Sequence, residues 1–119
     1  MPQVRAIADH EVPSRPPLRV EPGDVVRVGE RSSEWPAFVF VESDSGRGWV
    51  PSRHLDTTKD LTVVEVAYHT KELAVRSGEI LDLRERDDES GWHWCRNGAG
   101  DEGWVPVAVL EELPETLLD

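Results

Sequence analysis

Apolar and polar residues alternate along this chain in short runs, and no stretch longer than about ten residues carries a helical period. "LRVEPGDVVRV" (18–28) and "LAVRSGEILDL" (73–83) share one pattern: apolar, polar, apolar, two non-apolar residues, glycine, acid, then alternating residues. Within them "VVRV" and "ILDL" predict strands that leave a Gly-acid turn. "SDSGRG" and "NGAGDEG" predict hairpin turns, because Gly and Asn accept the positive φ such turns need. Each half then reaches the same four residues, GWVP, at 48–51 and 103–106. Their proline cannot donate to a β ladder, so a strand should end there. The nearest approach to a helix is "PVAVLEEL", which predicts a single helical turn.

The landmarks repeat at one offset. Gly23 and Gly78 lie 55 residues apart, as do Gly48 and Gly103. Between them come, in the same order, a charged loop ("GERSSE", "RERDDES"), an aromatic-rich run ("WPAFVFV", "GWHWCR"), a Gly-containing turn and GWVP. Self-similarity at a fixed period marks repeated structural units. The expectation is an all-β chain of two units, residues 1–56 and 61–113, joined by a linker at 57–60 and followed by a tail at 114–119. Units of this size bury a modest share of their surface and are individually marginal.

Charge narrows the partners. The 119 residues carry a formal net charge of −11, with seven Lys and Arg against nine Asp and Glu in 1–56 and six against fifteen in 57–119. Such a surface repels phosphate backbones, so nucleic acid is not an expected partner, and a charged partner of the second half should be basic. The one cysteine, Cys95, excludes an intrachain disulfide framework and suits a reducing compartment. The first ten residues lack the apolar core of a signal peptide and no run approaches a membrane span, so a cytoplasmic location is expected. No phosphate-cradling glycine loop, nucleophile motif or metalloprotease helix is present, which points away from an enzyme, and no cofactor is expected. Cys95 reads as a small buried apolar residue rather than a nucleophile, with His93 assigned to the opposite strand face. Trp92 and Trp94, two residues apart, should share a face, with Trp94 in core or inter-unit packing.

Together these ordered features resemble the Src homology 3 (SH3) domain, twice, in the divergent form found in bacterial proteins. "AIADH" (6–10) and "VAYH" (66–69) stand for the family's opening strand, "LRVEPGD" and "ELAVRSGE" for its second element, and "GWVPSRHL" and "GWVPVAVL" for its closing segment. The resemblance implies two small five-stranded barrels in tandem. Val26, Val28, Val50 and Leu55 would supply one core, and Ile80, Leu81, Val105 and Leu110 the other.

It also implies a function. Typical members bind proline-rich peptides between aromatic ridges, with acidic loop residues pairing to an Arg or Lys of the peptide. Carried over position by position, the first unit's groove holds Ala8 and His10 from the opening motif, Trp35, Pro51 and His54, with Phe38 an alternative to Trp35. The second holds Val66 and Tyr68, Trp92, Pro106 and Val109. Each unit lacks the first and the closing tyrosine, which weakens proline-slot binding and leaves looser protein or peptide binding as the expectation. Tyr68 and Trp92 beside the acidic loop Glu85, Asp87 and Asp88 make the stronger site, suited to a basic or proline-containing segment. Cell-wall peptide recognition and a dimerising scaffold with idle grooves are the alternatives. His10 and His54, close together in the family's groove with Asp9 adjacent, could answer to pH or hold a metal, against ordinary polar substitution of an idle groove. "VPSRPPLRV" (12–20) could itself occupy a groove, or stiffen the long loop of the first unit.

Overall fold

The computed structural model describes residues 2–13 and 16–114, so all of the expected tail at 114–119 except Pro114 lies outside the described residues. Every regular element is a strand or a single 3-10 turn. The chain separates into two compact units, but not into its two sequence halves. One unit is continuous, Pro16–Thr70, and the other is split, Met1–Arg15 with Lys71–Asp119.

The inserted unit, Pro16–Thr70, contains β2 (Arg19–Val20), β3 (Val25–Arg31), β4 (Phe38–Ser43), β5 (Gly46–Pro51), β6 (Leu61–Val63) and β7 (Tyr68–His69). Four of these form an antiparallel sheet in the order β5-β4-β3-β6, and β2 pairs with β7. Its interior is built from Leu18, Val20, Val26, Val39, Val41, Val50, Leu55 and Val64, the alternate positions of their strands. The unit's own ends are joined, since Thr70 N–H donates to the Leu18 carbonyl and Leu18 N–H to the Thr70 hydroxyl.

The split unit contains β1 (Gln3–Ala6), β8 (Ile80–Glu85), β9 (Trp92–Arg96), β10 (Glu102–Pro106) and β11 (Leu110–Leu113). They form one antiparallel sheet in the order β10-β9-β8-β1-β11. Its core gathers Val4, Ala6, Leu73, Val75, Leu81, Leu83, Cys95 and Val105. β1 is therefore an interior strand, with Val4 opposite Leu81 on one side and Glu112 on the other.

This arrangement exchanges the opening strands. Gly23 and Gly78 sit in equivalent turns, both at positive φ (99° and 94°), which only Gly adopts without strain. Gly23 N–H donates to the carbonyl of Val64, and Gly78 N–H to that of Ala6. Residues 61–68, placed in sequence at the head of the second half, complete the unit of the first. Residues 3–10 complete the unit of the second. The compact units thus divide at Arg15–Pro16 and Thr70–Lys71, whereas the sequence expectation divides the chain at 56 and 61, and residues 57–60 form a turn leading into β6.

Other expectations fare as follows. Both prolines of GWVP end their strands, and a 3-10 turn follows each, Ser52–His54 and Val107–Val109. Neither sheet closes into a continuous barrel; the split unit has an open five-stranded sheet and the inserted unit a four-stranded sheet with a two-stranded ribbon. Ile80 is 40% exposed while Leu81 and Leu83 are buried, because strand period two sends neighbours to opposite faces. Val28 shares the inward face of Val26 but is only half-buried, at the point where the register of β3 against β4 shifts.

Cys95 and His93, two apart in β9, both face the interior, not opposite faces as the sequence reading had it. They form no catalytic pair: Nδ1 of His93 accepts the Asp87 N–H, and burial pushes the Cys95 thiol up to about 12. The thiol is neutral in the folded chain, whereas an unfolded thiol ionises near its ordinary value, so its contribution to stability is complete below that value and falls as pH rises towards 12. At pH 8 Cys95 should react with a thiol reagent at least about a hundredfold more slowly in the native protein than in guanidinium chloride, as a colorimetric thiol assay would measure.

Candidate functional site

Two grooves were expected, each from one sequence half. The exchange of opening strands gives each groove the aromatic residue of the other half. His10 comes to Trp92, and Tyr68 to His54.

In the split unit, the bulk of Trp92 opens β9 and stands opposite Pro106. Its ring meets the His10 imidazole edge to face, with centroids 5.5 Å apart and planes at 76°. His10 is fixed by backbone bonds in both directions with Val75, the extension of the β1 arm beyond its sheet. Nε2 of His10 lies 2.8 Å from Oε1 of Glu72, so the imidazole N–H donates to the carboxylate. Both side chains keep partial exposure, 16% and 21%, and Trp92 is half-buried. Val109, in the turn after Pro106, is also half-buried. The result is an open aromatic ledge with a carboxylate beside it. Glu72 was not foreseen, because in sequence order it belongs to the loop beside Tyr68.

The acidic loop divides its residues between structure and surface. Asp87 is buried: its N–H donates to His93, its Oδ1 accepts the Ser90 N–H, and its carbonyl accepts the Ser90 hydroxyl. It shapes the turn instead of lining a groove. Asp88 is 74% exposed, with Oδ1 3.7 Å from Nε2 of His93, and Glu85 is exposed at the end of β8. Arg86 reaches across to Glu112, which holds the Glu112 carboxyl below its ordinary value and ties the loop to β11. Residues of the split unit number seven Lys and Arg against fifteen Asp and Glu, while those of the inserted unit number six against nine. The ledge therefore lies in the more acidic unit.

The inserted unit's groove is filled. Tyr68 is 9% exposed and stands between His54, also 9%, and Phe38, 6%. The ring centroids lie 5.5 Å and 6.5 Å from that of Tyr68, both near-perpendicular. Phe38, not Trp35, stands opposite Pro51, as Trp92 stands opposite Pro106, so Phe38 is the counterpart of Trp92. Trp35 lies outside the strands, half-buried in the turn before β4, where its N–H donates to the Ser32 hydroxyl. Pro51 is sealed in the interior. Thus Tyr68 and Trp92, read as one site, belong to different units, and so do His10 and His54. Asp9 is engaged elsewhere, accepting the Ser77 N–H and pairing with Arg76.

Two further tryptophans complete the picture. Trp94 lies edge to face on Trp104 at 5.2 Å and donates its Nε1 hydrogen to Glu102, on the outer face shared with Trp92. In the inserted unit Phe40 and Trp49 make the corresponding pair at 5.2 Å.

The chain matches two family models in succession. Residues 4–56 match the variant SH3 domain, and residues 66–107 match the SH3 domain. The matches follow sequence order, whereas the compact units follow the exchanged strands. No curated protein and no solved structure matches the chain.

Proposed function

The chain belongs to the SH3 domain family, with two domains in tandem, and we propose that it is a non-catalytic adaptor whose working groove is the ledge around Trp92. The single supporting observation is the contrast between the grooves. One presents His10, Trp92 and Val109 part-exposed beside Glu72, while the other packs Tyr68, His54 and Phe38 shut. The ligand we assign to the ledge is a basic segment of another protein, its aliphatic or prolyl surface on the Trp92 indole and its Arg or Lys directed to Glu72 and Asp88. Aromatic-to-cation contact and a half-buried carboxylate act together on such a segment. The lone, buried cysteine agrees with action in the cytoplasm.

The test is titration of a basic proline-containing peptide, followed by tryptophan fluorescence. Trp92→Ala should weaken binding at least about tenfold, as loss of an aromatic anchor does. Glu72→Gln should weaken it less, and affinity should fall with added salt because the carboxylates are near solvent. Trp35→Ala should leave the affinity unchanged. Equal loss from Trp35→Ala and Trp92→Ala would overturn the assignment, and capture by purified peptidoglycan without peptide binding would favour a cell-wall ligand.

A further inference from the structure

The strand pairings of the arm that carries His10 lie in the split unit, although in sequence the whole inserted unit stands between the arm and Lys71. Val4 and Ala6 are buried to 0% and 1% exposure, and the arm pairs on both edges, with β8 and with β11. After His10 the chain leaves to build the whole inserted unit, which closes on itself through Leu18 and Thr70, before Lys71 returns. The bonds that close the inserted unit, between Leu18 and Thr70, do not involve the arm. The same slot in a second molecule would restore every pairing that withdrawing the arm breaks. Because the exchange restores the same pairings it removes, it is a low-cost route to a dimer.

We propose that a second copy of this chain is a partner for the arm: two molecules exchange residues 1–10, each lending Val4, Ala6 and His10 to the split unit of the other. In the exchanged pair each Trp92 ledge is built by two chains, with one chain's His10 donating to the other's Glu72. The proposal is independent of what the ledge binds. Within one molecule the arm is held at an effective concentration of about 1 mM, so exchange is set during folding at comparable protein concentration.

Gln3 and Asp82 stand opposite each other on the outer face, with the Gln3 amide 3.3 Å from the Asp82 carboxylate, and supply the probe. Three variants are needed: Gln3→Cys, Asp82→Cys, and both together as a control for disulfide geometry. Cys95 is retained, since it is buried in the folded state; the chains are refolded reduced and oxidised only afterwards. The two single variants are co-refolded at about 1 mM and at about 1 µM, and the products are resolved on a non-reducing gel and by light scattering. The expected result is a covalent dimer of the two single variants, at least about tenfold more abundant from the concentrated mixture. If the double variant closes its disulfide within one chain, while the concentrated mixture gives only monomer, the proposal is overturned. If the double variant itself fails to close, light scattering on the unaltered chain decides: a dimer formed on concentrated refolding that persists after dilution to about 1 µM supports the exchange, and its absence overturns it.

Discussion

Deleting residues 1–10 is expected to unfold the half of the molecule farthest from them in sequence and to spare the part that follows directly. The arm is an interior strand of the split unit, so its loss removes the fully buried Val4 and Ala6 and leaves β8 and β11 without the neighbour between them. It also removes the carbonyl that receives Gly78 N–H and the bonds between His10 and Val75. Burial of one aliphatic side chain contributes about 1.5–3 kcal/mol, and a unit of this size has a total stability of roughly 3–9 kcal/mol. Loss of two such anchors with their strand pairing exhausts that margin. The inserted unit supplies its own β6 and β7 and should persist, as should residues 16–70 produced alone. Indole N–H resonances give a direct reading. Trp35 and Trp49 should keep native positions in the shortened chain, while Trp92, Trp94 and Trp104 collapse to the unfolded value. A chain in which the second group survives and the first is lost would restore the sequence-order division.

Gly103→Ala should cost about 3 kcal/mol, while Gly48→Ala, at the same place in the same tetrapeptide, should stay within about 1 kcal/mol. A Cβ at Gly103 would meet the Glu72 carbonyl carbon at 2.7 Å and the Leu73 nitrogen at 2.8 Å. Those atoms are backbone, and they cannot retreat freely, because Leu73 N–H donates to the Trp104 carbonyl and Trp104 N–H to that of Lys71. At Gly48 the nearest atoms are Leu18 Cβ and Thr70 Cγ2, each at 3.4 Å, ordinary contact with side chains. The identical GWVP runs therefore differ in tolerance because the returning chain, at Lys71 to Leu73, passes directly over one of them. Chemical denaturation of the two variants, followed at Trp104 and Trp49 respectively, measures the difference.

Much of this was open to inspection in the residues. The Gly23 and Gly78 turns, the strand ends at Pro51 and Pro106, the helical turn after Pro106 and the burial of Cys95 all follow from local chemistry. Those features depend on what a residue can do with its own φ, its own N–H or its own surface. The exchange of opening strands does not. Val4 and Ala6 occupy in one unit the places that Thr62 and Val64 occupy in the other, so either strand satisfies the alternation of either slot. Strand period two records which side chains point inward, not which copy of a sheet receives them. The groove inherits that ambiguity. The sequence order sets Tyr68 with Trp92, where the fold brings His10 and, beside it, Glu72. Trp35 is displaced for a simpler reason: matching by residue type selects the tryptophan, which lies in the turn before β4, whereas spacing from Gly48 favours Phe38, where the ladder starts.

The pairing of Gln3 with Leu113 has a mechanical consequence. Antiparallel neighbours β1 and β11 are the first and last strands of the described residues, and Gln3 and Leu113 lie at the same end of the pair. Tension applied to the two ends would peel that seam one rung at a time rather than shear it all at once. Residues 16–70, hung inside the loop that the seam closes, carry no load until it has opened.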